Sequence, residues 1–141
     1  MNKQIYLAGA ITGLDWYAAE GWRIKVKTWI EHYSNWIAVN PCQHIPKTTE
    51  FTDRTEIECM MWDLWKLKQC DIVVCDFSHP ESIGTTWELA TAWECKIPII
   101  GVKIDDSKTP VHPWWQTAAM HVCENLDELK QYLTKHFLIG D

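Results

Sequence analysis

Four residues in one short stretch are of types that bind or attack a small molecule: Asp76, Ser82, Gly84 and Glu88. They follow the apolar run Ile72-Val73-Val74-Cys75, which is bounded by acids and reads as a strand buried on both faces of a parallel sheet. That strand ends near Asp76, Ser78 to Gly84 has loop composition, and Thr85 to Trp93 reads as a helix. In open α/β sheets ligands bind at the carboxyl ends of the strands, where such loops gather. Glu88 has two readings. Thr85-x-x-Glu88 fits a capping box with Thr85 as N-cap. With the same geometry, a carboxylate in the first helical turn lies near the positive end of the macrodipole, stays ionised at neutral pH and can serve as a nucleophile.

A second acid, Asp63, lies on the helix expected from Arg54 to Gln69, beside the stripe Ile57, Met60, Leu64 and Leu67. By pattern alone the stronger reading of Asp63 is a boundary residue paired with Lys66. Cys70, Cys75 and His79 are near one another in sequence, but Cys75 belongs to the apolar run and reads as core rather than as a metal ligand. None of the six cysteines forms a Cys-x-x-Cys pair, which argues against a disulfide framework or a zinc ribbon. No metal and no organic cofactor is expected.

These groups need a scaffold, and strand alternates with helix along the chain. Ile5 to Ala8 reads as a strand followed by the flexible turn Gly9-Ala10-Ile11-Thr12-Gly13, whose glycines are too few for a dinucleotide fingerprint. Asp15 is placed to cap a helix whose apolar positions are Ala19, Trp22, Val26, Trp29, Ile30 and Tyr33. Trp36 to Val39 is a second strand, stopped by Asn40-Pro41, and Cys42 to Asp53 is a long polar connection of the kind that carries function. Ile97 to Val102 is a fourth strand, Asp105 to Pro113 a surface loop, Met120 to Cys123 a fifth strand and Leu126 to Phe137 a closing amphipathic helix. The alternation predicts a single flavodoxin-like, doubly wound parallel sheet of about five strands in the order 2-1-3-4-5, with helices on both faces.

At 141 residues the chain is expected to form one domain, residues 1–141, with a full core. Thirteen basic against nineteen acidic residues give a charge of −6, which disfavours a nucleic-acid polymer or an anionic membrane as partner. A small anion remains compatible, because helix N-termini and loop amides bind phosphate without net positive charge. The start leads directly into a strand with no signal peptide or membrane span, so a soluble, cytoplasmic protein is expected. Ten tryptophans exceed what one small core takes, so some of Trp16, Trp62, Trp65, Trp87, Trp114 and Trp115 line a pocket for a flat ring or a subunit interface.

Three segments together resemble the nucleoside 2-deoxyribosyltransferase family, including its branch of 2'-deoxynucleoside 5'-monophosphate N-glycosidases. They are Ile5-Tyr6-Leu7-Ala8-Gly9-Ala10-Ile11-Thr12-Gly13, the stretch from Asp63-Leu64-Trp65 through Cys70-Asp71-Ile72-Val73-Val74, and Ser82-Ile83-Gly84-Thr85-Thr86-Trp87-Glu88-Leu89 with Ala92. The resemblance implies Glu88 as the nucleophile and Asp63 as the second catalytic carboxylate. It implies Tyr6, Gly9 and Ile11 as pocket-lining residues and Gly84 as the loop glycine before the nucleophile. Six residues before the glutamate the transferases have an aspartate that holds the sugar 5'-hydroxyl, whereas the monophosphate hydrolases have a serine, and here it is Ser82. A carboxylate there would repel a 5'-phosphate; a hydroxyl with loop amides would bind one.

The implied reaction is cleavage of the N-glycosidic bond of a 2'-deoxynucleotide or 2'-deoxynucleoside through a glutamyl-deoxyribosyl intermediate, more in keeping with 5'-monophosphate hydrolysis than with transfer between bases. A non-catalytic nucleotide-binding protein is the alternative of another class. The family also completes its site with a polar residue from a neighbouring subunit, for which Thr117 and His121 are candidates, and this implies a homodimer or higher homo-oligomer. The sequence departs from the hydrolases in having no basic side chain in Ala10-Ile11-Thr12.

Overall fold

The computed structural model describes residues 2–11, 13–44, 50, 52–105 and 109–138. Among them, β1 (Gln4–Ala8), β2 (Ile37–Val39), β3 (Ile72–Asp76), β4 (Ile99–Val102) and β5 (His121–Cys123) form one parallel sheet in the order β2-β1-β3-β4-β5. This is the flavodoxin-like order expected from the sequence. The register sets Tyr6 between Val39 and Val73, Ala8 beside Cys75, and Asp76 beside Val102. The carboxyl ends of the central strands therefore finish close together, and the segments that follow them share one edge.

Strand side chains alternate between faces, and each face has its own core. On one, Ile5, Leu7, Ile72, Val74, Ile100 and Val102 pack against α1 (Trp16–Tyr33) through Trp22, Val26 and Ile30, and against α5 (Leu126–Leu133) through Leu129 and Leu133. On the other, Tyr6, Ala8, Val73, Cys75 and Ile99 meet Leu67 of α2 (Asp53–Leu67), Leu89 and Ala92 of α3 (Ile83–Glu94), and Trp115 of α4 (Pro113–Ala118). The helix starts follow capping chemistry. Asp15 accepts from the Ala18 amide at 2.8 Å, Thr52 and Thr55 form a reciprocal box on α2, and Asn125 accepts from the Glu128 amide at 2.9 Å.

Several elements differ from the sequence expectation. The helix carrying Glu88 begins two residues earlier, at Ile83, because Ser82 rather than Thr85 is its N-cap: the Ser82 hydroxyl accepts from the Thr85 amide at 3.3 Å and from Thr85 Oγ1 at 2.8 Å. Glu88 consequently sits in the second turn and caps nothing. On α2 only Leu67 of the expected stripe is buried, while Ile57 and Met60 are exposed and Leu64 is half-buried, because α2 covers the sheet only with its C-terminal end. Tyr33 ends the α1 stripe but lies beyond the sheet and is 69% exposed. β4 starts at Ile99, two residues after the expected Ile97. α4 was not anticipated; it is a six-residue helix with Pro113 in its first turn and His112 as N-cap. The closing helix becomes a π-helical turn at Thr134–Leu138. Of the polar connection after β2, Pro41–His44 is a 3-10 turn, and residues 45–49 and 51 lie outside the described residues. Among the described residues no helix is long and apolar enough to cross a membrane.

Candidate active site

At the carboxyl edge of the sheet, Glu88 from α3 and Asp63 from α2 are brought together beside Tyr6 of β1, close enough that each influences the ionisation of its neighbours. Glu88 is buried at 8% exposure and Asp63 is half-buried. Burial pushes the Glu88 carboxyl up to about 7, opposed by the adjacent Tyr6 hydroxyl and by the positive charge of Arg23. Asp63 is raised to about 8, by burial first and by the Glu88 charge second, against the positive charge of Arg23. Both carboxyls are therefore held above the ordinary carboxylate range, and near neutral pH the pair keeps one proton between them. Asp63 faces this group and is not paired with Lys66, which corrects the boundary reading. One ionised and one protonated carboxyl side by side can attack a carbon and protonate a leaving group.

Tyr6 is fully buried beneath the pair. Desolvation and the two carboxylates raise its pKa, so the phenol stays protonated. Its hydroxyl lies beside Glu88 without closing a hydrogen bond of regular geometry, so it retains bonding capacity.

The turn after β1 approaches the same place. At Gly9 a Cβ would stand 3.2 Å from the Asp76 Cβ, 3.3 Å from an Arg23 guanidinium nitrogen and 3.4 Å from the Trp22 ring, so only a glycine leaves these groups where they are. Ile11 is half-buried and its carbonyl accepts from the Leu14 amide at 3.2 Å, closing the turn; Thr12 lies outside the described residues. Ser82 is half-buried and engaged as the α3 cap, and Gly84 follows it with open space where a side chain would be. Asp76 is buried and organises the loop after β3. Its Oδ1 accepts from the Ser78 amide at 2.9 Å, and the Ser78 hydroxyl accepts from the Ile104 and Asp105 amides at 3.0 Å each.

Arg23 is the functional residue that reading the sequence missed. It is fully buried on α1 and donates to the Leu7 carbonyl at 3.0 Å, the Gly9 carbonyl at 2.9 Å, the Ala19 carbonyl and the Cys42 sulfur. The available signal was its position: a charge inside the stripe Ala19, Trp22, Val26, Ile30.

Cys70, Cys75 and His79 do not converge; the two thiols are buried, and His79 lies 3.5 Å from Asp105 and 3.8 Å from Glu81. Among the described residues, His121, Cys123 and Glu128 are the group whose spacing suits a metal ion. Two of its members have other contacts, and Cys123 is a buried free thiol. The His121 ring stacks on Tyr132, and Glu128 accepts from the Glu124 amide at 3.0 Å. His121 is half-buried, and Thr117 is exposed on α4. A cavity of about 430 Å³ opens near Ser78, Lys103, Asp105 and Gln116, and none of the candidate residues lines it.

A doubly wound α/β scaffold with a buried acid pair at its carboxyl edge is the class of protein defined here. Among solved structures, a 2-deoxyribosyltransferase from Bacillus psychrosaccharolyticus is similar to it, with a TM-score of 0.72 and 16% identity over 92% of this chain and 91% of that one. A conserved protein from Enterococcus faecalis V583 aligns with a TM-score of 0.68 and 14% identity over 94% and 100%. The CMP N-glycosidase of Clostridium botulinum aligns with a TM-score of 0.60 and 17% identity over 93% and 100%. No protein-family model and no curated protein matches the sequence. At these identities the likeness establishes the flavodoxin-like fold.

Proposed function

We propose that this protein is an enzyme of the nucleoside 2-deoxyribosyltransferase type that cleaves the N-glycosidic bond of a 2'-deoxynucleotide or 2'-deoxynucleoside. The observation that carries this reading is the meeting of Glu88 and Asp63 over Tyr6, from different helices, with both carboxyls raised by burial. The fold shared with a deoxyribosyltransferase and a CMP N-glycosidase supports it. In the forward step a Glu88 oxygen bonds to C1' as the C1'–N bond breaks, and the Asp63 proton passes to the departing base. In the second step the Asp63 carboxylate takes a proton from water as the water oxygen bonds to C1', releasing the sugar and regenerating Glu88. Tyr6 lies beside the nucleophile, and Gly9, Ile11 and Gly84 line the pocket for the sugar and base. No metal or organic cofactor enters this chemistry.

The preferred substrate is a 5'-monophosphate. Ser82 and the first amides of α3 form a donor-bearing terminus suited to phosphate, with no acidic side chain in the first turn of the helix. Deoxyribosyl transfer between bases is the second reading, favoured by the TM-score of 0.72 with a deoxyribosyltransferase. A homo-oligomer is part of the proposal, because Ile57, Met61 and Trp65 of α2, Ile83 and Trp87 of α3 and Trp114 of α4 leave a large apolar surface exposed.

The test is base release, followed by chromatography, from deoxynucleosides and their 5'-monophosphates with and without an acceptor base. Release from monophosphates without acceptor supports the hydrolase, and exchange only with acceptor supports the transferase. A wild type that binds nucleotides but turns over none, with Glu88→Ala binding equally well, would make the protein a non-catalytic nucleotide binder.

A further inference from the structure

A guanidinium removed from water normally rests against a carboxylate, because a buried charge without a counter-charge is strongly destabilising. Arg23 is fully buried, yet the acceptors its nitrogens reach are neutral: the carbonyls of Leu7, Gly9 and Ala19 and the sulfur of Cys42. Two of those carbonyls belong to the end of β1 and the turn after it, the backbone that floors the candidate site. A fork donating to Leu7 and Gly9 at 3.0 and 2.9 Å fixes both peptide planes at once. A Cβ built at Gly9 would stand 3.3 Å from a guanidinium nitrogen, so the turn packs directly against Arg23.

We propose that Arg23 is a positioning residue for the reaction: it fixes the β1–α1 turn beneath the substrate and supplies the buried positive charge that the Glu88 and Asp63 pair faces. This inference rests on the function proposed above. With Arg23 charged, Glu88 ionised and Asp63 protonated, these three groups sum to zero, so the reactive protonation state is also the one a low-dielectric site favours. The other titratable groups around them are Glu20 on α1, Tyr6 on β1, Cys42 after β2, Cys59 on α2, and Cys75 and Asp76 on β3; burial raises the pKa of the thiols, the phenol and Asp76.

The experiment is a carboxyl-carbon NMR titration of wild type, Arg23→Met and Arg23→Lys, with Glu88→Gln and Asp63→Asn for assignment, alongside the pH profile of base release. In Arg23→Met the Glu88 midpoint is expected to rise by about one pH unit or more, and the rate at pH 6 to fall about tenfold as the acid limb follows. Arg23→Lys keeps the charge and loses the fork, so the midpoint stays near that of wild type while KM rises severalfold. A Glu88 midpoint unmoved in folded Arg23→Met would overturn the proposal. So would Arg23→Lys with an unchanged KM, or with a large midpoint shift, and this variant decides the matter if Arg23→Met does not fold. The NMR titration needs no turnover: silence of the wild type toward every nucleotide would count against the proposed reaction and leave the electrostatic result readable.

Discussion

The two sides of the sheet cover their apolar residues to different degrees. On the α1 and α5 side, Trp22, Val26, Ile30, Leu129 and Leu133 close over Ile5, Leu7, Val74 and Ile100, and of the large apolar side chains of these two helices only Tyr17, Ile24 and Tyr33 are exposed, all on α1. On the α2, α3 and α4 side a core of similar composition exists around Tyr6, Val73, Leu89 and Trp115, but its outer surface still exposes Trp65 at 59%, Trp87 at 54% and Trp114 at 76%. Both catalytic candidates come from this second side. One layer therefore provides the stability and the other combines buried acid chemistry with unfinished apolar surface, the division expected when a site is built at the cost of local stability.

The largest effect that would break this division is at the acids. Glu88→Gln is expected to reduce base release about a thousandfold or more, with Asp63→Asn lower by about a hundredfold or more, measured under single-turnover conditions. Wild-type kcat/KM should follow a bell, with the active form in greatest proportion between about 7 and about 8, where the pair has lost one of its two protons. On the closed side, Ile30→Ala should cost about 2–5 kcal/mol by denaturant unfolding, with full activity in the folded fraction.

Stability should respond to pH through the same pair. Burial raises both folded-state values above the ordinary 3.8 of Asp and 4.5 of Glu, so at neutral pH the folded chain holds more protons than the unfolded one. The pair's contribution is most favourable below the unfolded values and is lost as pH rises toward about 8. Accordingly Glu88→Gln should melt at a higher temperature than wild type at pH 8, with the gain shrinking toward pH 4. The smallest effect on the monomer is at the exposed face: Trp65→Glu should change unfolding free energy by less than about 0.5 kcal/mol while shifting sedimentation toward the monomer.

How much of this was readable in the sequence depended on how local the cause was. The runs Ile5 to Ala8 and Ile72 to Asp76 announced central strands because burial on both faces leaves no polar position, and the strand order followed from their alternation with helices. The α3 start was misread because Ser82 and Thr85 are both capping residues spaced three apart, and only the loop path chooses between them. α4 was missed because six residues beginning with proline show too little periodicity to register. On α2, periodicity located an apolar stripe but not what it faces, since that is set by where the helix ends on the sheet. Arg23 was hidden because its acceptors are backbone carbonyls, which no side-chain pattern displays.

The most direct measurement is peptide mass spectrometry of enzyme quenched during turnover of a deoxynucleoside 5'-monophosphate. The account predicts a deoxyribosyl-phosphate ester on the peptide bearing Glu88, absent from Glu88→Gln. Base release by Glu88→Gln at the wild-type rate, with no adduct on Glu88 in either protein, would contradict it.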